Sequence, residues 1–296
     1  QRNPLLNTTV LSGDIGVTGN SSDNSYHVIT GSNTDLTARL DGFTINAGNG
    51  NGSTPNDAGG GVFNSSGSPT LTNLIINNNS AAYGGGMMNI NSSNPIMTDV
   101  FFNSNSATNS GGGLNNSNSS NPTLTNVTFT LNSAPAGGGI FNQDSSPLLT
   151  SVVFENNTAT DRGGGIFNLS STPSLANVTF ITNTATSFGG GMFNLYSSPT
   201  LTNVTFTTNS SQIGGGMFSI DSTNPTLVNV TFISNSATNQ GGGMLNYSSN
   251  PTLTNVAFTS NSAKVGGGMF NQVSNPALSG VTFNGNTANS PDNQSG

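Results

Sequence analysis

The stretch GGGMFNLYSSPTLTNVTF, Gly189 to Phe206, decides the architecture, because variants of it recur from Gly59 almost to the end of the 296-residue chain. Glycine triplets begin at Gly59, Gly84, Gly111, Gly137, Gly163, Gly189, Gly214, Gly241 and Gly266, eight intervals of about 26 residues each. A fixed period of that size is the mark of a solenoid: one repeat cannot bury its own apolar face, so successive copies stack.

Aligned on the glycines, the repeats become columns. The Leu201 column holds Leu throughout except for Met97; the Val204 column is Val but for Phe43 and Leu74; the Phe206 column is Phe after Ile45 and Ile76. Val204, Thr205 and Phe206 read inward, outward, inward, the period of a strand. No segment carries a helical apolar stripe, and the frequency of Gly and Pro opposes one. The expected fold is therefore all-β: a single-stranded, right-handed parallel β-helix of the pectin-lyase type. About ten coils of about 26 residues would make a rod of roughly 50 Å at about 4.8 Å per coil. Residues 1–39 read as irregular N-terminal coils, 40–288 as the repeats and 289–296 as a polar tail.

Punctuation fits the same scheme. Pro199 heads a strand, where a missing N–H is tolerated. Asn194 and Asn209 head two columns of stacked asparagines, expected to hydrogen-bond along the axis and to accept positive φ at bends. Gly189, Gly190 and Gly191 lack the following helix and lysine of a phosphate loop, so they read as a corner needing close backbone approach or positive φ. Met192 belongs to the core. The neighbouring Phe193 fits either face, and turned outward its column would form an apolar contact stripe.

Composition narrows the function. Four basic residues against eleven acidic ones, a formal net charge of −7, provide no patch for nucleic acid or anionic membrane. With no cysteine, disulfides, thiolate metal sites and cysteine nucleophiles are excluded. No apolar run is long enough to span a bilayer.

The columns also allow a paper test for chemistry. Asp144 and Asp221 share a column three coils apart; Glu155 stacks between Thr130 and Ile181; Asp161 sits beside Arg162 as a solvated bend. No pair of carboxylates converges as glycan cleavage requires. Asp14, Asp23 and Asn24 offer hard oxygen ligands for Ca²⁺ in one loop, against the alternative of a turn whose side chains serve its own backbone. His27 is the only histidine. The Thr205 and Thr202 columns are too interrupted to order water as an ice-binding face. Asn-Val-Thr at Asn126, Asn177, Asn203 and Asn229 matches the glycosylation sequon, which ladder chemistry explains equally well.

With GGG[M/I/L/V] and FxxN located, residues 40–286 resemble the polymorphic outer-membrane protein repeats of chlamydial surface proteins, which pair a GGA[I/L/V] box with an FxxN box. The match is carried by Phe102–Asn105, Phe129–Asn132, Phe154–Asn157, Phe180–Asn183, Phe206–Asn209, Phe232–Asn235, Phe258–Asn261 and Phe283–Asn286. The third position departs, Gly for Ala. The opening segment is similar to early coils of secreted bacterial β-helix repeat proteins. The resemblance implies an extracellular or cell-surface location and, less directly, adhesion.

Neither terminus reads as a capping coil, so end coils are expected to stack head to tail. The functional expectation is a non-enzymatic secreted structural protein, with no cofactor, that forms or decorates a filament or surface layer by self-association. The alternatives are a β-helical adhesin or passenger segment binding a surface glycan or protein, and a relative of polysaccharide-active enzymes. Tyr83, Phe188, Tyr196 and Tyr247 would favour binding if they formed one aromatic stripe, but they are assigned to different columns.

Overall fold

A computed structural model describes residues 8–289; the end of the expected polar tail, 290–296, lies outside them. The chain winds as a right-handed parallel β-helix, and every named strand pair is parallel.

A representative coil shows how sequence makes geometry. It begins with Thr200–Thr202, bends at Asn203, continues through Thr205–Thr207, bends at Thr208, and runs along Ser210–Ile213. The triplet Gly214–Gly216 then turns a corner into Met217–Ile220, and the segment to Pro225 closes the coil. Each piece pairs with its copy one coil on, in register as in Leu201↔Leu227, Phe206↔Phe232 and Met192↔Met217, except that the Ser210 strand shifts register before the corner, Ser211↔Ala237 giving way to Ile213↔Gln240. Three sheets result. The Leu201 and Phe206 strands share one, the glycine-corner strands form a second, and the Ser210 strands form a third.

The expected columns line the interior. Leu201, Val204, Phe206 and Met192 are all fully buried and belong to one continuous core. Phe rings from Phe102 to Phe283 stack along the axis with centroids 4.6–5.0 Å apart and planes within 4–7° of parallel. Each ring buried this way contributes about 1.5–3 kcal/mol from apolar area, before the stacking itself.

Both reasons for the glycine corner hold, at different positions. Gly189, like the first glycine of every triplet, has positive φ (+61°). Gly191 is excluded from bearing a side chain by proximity, since a Cβ there would lie 2.6 Å from the Gly216 carbonyl oxygen and 2.8 Å from the Phe206 ring. Gly190 is equally tight, with the Ser210 carbonyl oxygen at 2.4 Å.

The asparagine columns are inward ladders. In the Asn209 column each amide is saturated: Asn209 Nδ2 donates to Asn235 Oδ1 (3.0 Å) and the Phe180 carbonyl (3.0 Å), while its Oδ1 accepts from Asn183 N (2.9 Å) and Asn183 Nδ2 (3.0 Å). This chain of bonds runs from Asn79 to Asn286. The Asn194 column is simpler, with one amide bond of 2.9 Å per coil from Asn64 to Asn194. It breaks at Ser219, which receives Asn194 at 3.3 Å and leaves the buried Asn246 Oδ1 without a partner.

One expectation is corrected here. Asn194 and Asn209 do not take positive φ; that duty falls to Tyr196 (φ 52°), Asn203 (φ 54°) and Thr208 (φ 53°) and to their columns. The ladder residue must point its amide inward in extended backbone, so the adjacent solvent-facing residue absorbs the left-handed bend. A further ladder, of Ser93, Ser120, Ser145, Ser171, Ser197, Thr223 and Ser249, is buried just before the prolines. From Ser93 to Thr223 each hydroxyl accepts the backbone N–H of the preceding coil, as in Ser171 N to Ser197 Oγ at 3.0 Å, whereas Ser249 Oγ donates to the Thr223 carbonyl.

Candidate functional site

Where coils are nearly identical, a site must lie where the repeat is broken or its chemistry is exposed. The Phe193 column settles its own orientation: the side chains face outward yet are covered. Met192 and Asn194 on either side point into the core. Phe193 lies in a concave furrow outside the glycine corner, buried with Phe141, Phe167, Phe218 and Leu245 in a second apolar cluster. One wall of the furrow is the column just before the triplets, including Phe188 and Ile213; the other is the Leu195, Ile220 and Tyr247 column. Arg162 lies over it, its guanidinium carbon 5.8 Å from the centroids of Phe167 and Phe193 and paired with Asp161 at 2.7 Å.

The assignment of the four aromatic residues to different columns is thereby corrected. Tyr83 and Phe188 occupy the same column, linked through Ser110, Ala136 and Arg162. Both immediately precede a glycine triplet, a signal available in the sequence. Tyr247 stands on the opposite wall, so three of the four flank one furrow, and Tyr196 is exposed away from it.

Toward the N-terminal side the furrow opens into a cavity of about 550 Å³. Its floor is Asn115, the one polar residue of the Phe193 column between Phe63 and Phe270, with small Ser110 and Ser117 in the two walls. Asn115 is buried, its Nδ2 donating to Ser110 Oγ (2.9 Å) and its Oδ1 accepting from Ser117 Oγ (2.9 Å). Phe141 bounds the cavity on one side, Met88 and Phe63 on the other, and Thr54, Pro55 and Asp57 also line it.

The Asp14, Asp23 and Asn24 loop spends part of its side-chain capacity on backbone, while Asp23 Oδ1 and Asn24 Oδ1 are buried without a hydrogen-bond partner. Asp14 accepts from Gly19 N at 3.1 and 3.2 Å, Asp23 Oδ2 from Val17 N at 2.9 Å, and Asn24 Nδ2 donates to the Ala47 carbonyl at 2.7 Å. Among the described residues no three His, Cys, Asp or Glu side chains gather as metal ligands. His27 Nδ1 lies 3.1 Å from the Gly59 carbonyl oxygen, and its ring stacks on Phe63 at 4.8 Å. Elsewhere, Asp99 accepts from Asn126, and Glu155 pairs in register with Thr130 and Ile181. The four sequon asparagines are exposed at the positive-φ bend. Hydrogen bonds of 3.1 Å join Asn203 to Asn177 and Asn229 to Asn203 along that outer column. No helix among the described residues is long and apolar enough to cross a membrane.

The last described coil is a second place where repeat chemistry is exposed. Leu278 is 49% exposed whereas its neighbour Leu253 is fully buried, and Phe283 stacks on Phe258 at 5.0 Å. The strands Met269–Gln272, Ala277–Ser279 and Thr282–Asn284 pair on one side.

Compared with known proteins, residues 151–169 match a model of the Chlamydia polymorphic membrane protein repeat. That stretch holds one FxxN, Phe154–Asn157, and one glycine corner, Gly163–Ile166. No curated protein and no solved structure matches the chain.

Proposed function

We propose that this is a non-enzymatic structural protein of the extracellular space or cell surface, a β-helical rod that forms or decorates a filament or surface layer by head-to-tail stacking. The observation that carries the reading is the ladder itself: coil after coil, from Leu71 to Leu278, meets the next through the same apolar and backbone columns, a surface built to receive a further copy of itself. A coil from a second copy would meet backbone, leucine and ring at the spacing the rod already uses. Because the two ends differ, the contact is heterologous and grows without closing. The match over residues 151–169 supports the surface location.

Electron microscopy of the 296-residue chain at low and high concentration tests this. Unbranched fibres with an axial repeat of about ten coils are expected. Single rods of about 50 Å at every concentration would overturn it.

A second reading, an adhesin or passenger segment, is favoured by one observation: the furrow outside the glycine corner widens into a cavity with aromatic walls and a polar floor.

A further inference from the structure

Two departures from the repeat converge on one place. The first is length: Leu40 and Leu71 are 31 residues apart, where every other interval in that column is 25 to 27. The surplus forms the segment between Asn49–Gly50 and Ala58, whose Thr54, Pro55 and Asp57 line the cavity. The second is composition: from Phe63 to Phe270 the Phe193 column is apolar except at Asn115, and both flanking positions there are serine. An isolated polar substitution would leave a hole, and an isolated insertion would hang in solvent. Here residues of the insertion line the hole.

We infer that this cavity binds a neutral saccharide of one or two rings, independently of whether the rod polymerises. Its volume of about 550 Å³ falls within the range of small-molecule sites, about 300–1,000 Å³. Phe63, Tyr83 and Phe141 offer rings for the C–H face of a sugar, and Tyr83 is 39% exposed in its free state. Hydroxyls meet polar partners: Ser110 and Ser117 in the walls, with Gln143 and Asn118 also lining the cavity. A purely apolar ligand would cover those groups without replacing their water, which is unfavourable. Asp57 is the one charged residue lining the cavity, so a phosphate, sulfate or acidic sugar finds no cation and meets a carboxylate. The Asp57 carboxylate is oriented by Thr54 Oγ1, which donates to it at 2.9 Å, and it retains capacity to accept from a sugar hydroxyl.

The test is saturation-transfer-difference NMR on the 296-residue chain. Its probes are glucose, galactose, mannose, N-acetylglucosamine and their β-linked disaccharides, with N-acetylneuraminate and laurate as acidic and apolar comparators. Transfer from protein to the ring protons of at least one neutral sugar is expected, and none to the comparators. Asn115→Phe restores the repeat and fills the cavity; it should abolish transfer while the thermal transition stays level or rises. Tyr83→Ser, a change to the residue the next coil already carries at Ser110, should weaken binding about tenfold. It decides the matter should Asn115→Phe fold poorly. The inference is overturned if no neutral sugar receives saturation, if laurate alone does, or if a folded Asn115→Phe still binds. Fibres seen by microscopy leave these outcomes unaltered, so the two proposals fail separately.

Discussion

The Phe206 and Phe193 columns run the same rod side by side, yet their rings are organised differently. Inside, successive planes lie within 4–7° of parallel; outside, Phe141, Phe167, Phe193 and Phe218 follow one another at 45–69°. The inner ring is confined on every side. The bare α-carbon of Gly191 admits its edge, and the Asn235 amide holds the Phe206 carbonyl at 2.9 Å. The outer ring has a solvent side and chooses its tilt locally. Confinement also dictates composition: from Ile45 onward the inner column admits only Ile and Phe, whereas the outer one admits Met88, Asn115 and Leu245. Architecture is therefore encoded inside the coil, and room for variation lies in the furrow outside.

The largest expected effect is at the inner stack. Phe206→Ala removes a fully buried ring whose neighbours are fixed, so little collapse is possible, and it should destabilise by about 3–5 kcal/mol. Stability in a solenoid is coupled mainly between nearest coils. Hydrogen exchange should accordingly rise most between residues 175 and 235 and little near residue 100. The matching outer change, Phe193→Ala, should cost about 1–3 kcal/mol, since Phe188 and Phe218 can lean into the gap. Equal losses in chemical denaturation would erase the distinction between the columns.

A gain is expected next. Ser219 interrupts the Asn194 ladder and leaves Asn246 Oδ1 buried and unpaired. The backbone there is in register with its neighbours, Asn194↔Ser219↔Asn246, so an asparagine fits the site. Ser219→Asn should add about 1–2 kcal/mol by supplying the missing donor and shortening the 3.3 Å contact. Unchanged or lowered stability would show that the inner columns are less regular than the register implies.

Much of this was legible because a repeat supplies its own alignment. Leu201, Val204, Phe206 and Met192 declared the core by recurrence, and the asparagine columns declared ladders. Orientation beside a corner was less legible. Met192, Phe193 and Asn194 are all buried, so simple alternation fails: an outward residue in a concave furrow is covered as well as a core residue. Asn tolerates positive φ, which points to the ladder asparagines, whereas the fold assigns it to Tyr196, Asn203 and Thr208. Side-chain preference cannot outweigh the need to aim an amide inward. The serine ladder at Ser197 is hidden in Ser-x-Pro text, since serine before proline reads first as a turn. The cavity carried two signals, the 31-residue interval and a lone Asn115 in an apolar column. Each becomes meaningful once its column is known to face outward.

The smallest effect sharpens the comparison from the outer surface. Asn73 Nδ2 donates to the Asp41 carboxylate at 2.8 Å; that bond, with Thr72 and the Arg39 guanidinium beside it, holds Asp41 below the ordinary aspartate range. The hydroxyl of Thr37 lowers Asp35 in the same way. A carboxyl lowered on folding stabilises the folded state above its unfolded pKa, and that contribution disappears as pH falls through the folded value. The window therefore lies below about pH 4. Both groups are solvated, so the Asp41 contribution stays under about 1 kcal/mol. Hydrogen exchange compared at pH 6 and pH 3 should show added opening around residues 39–46, abolished in Asp41→Asn. An equal acid response in the variant would move the cause elsewhere. The outer surface, on this account, adjusts one coil locally, while the ladders and stacked rings set the stability of the rod.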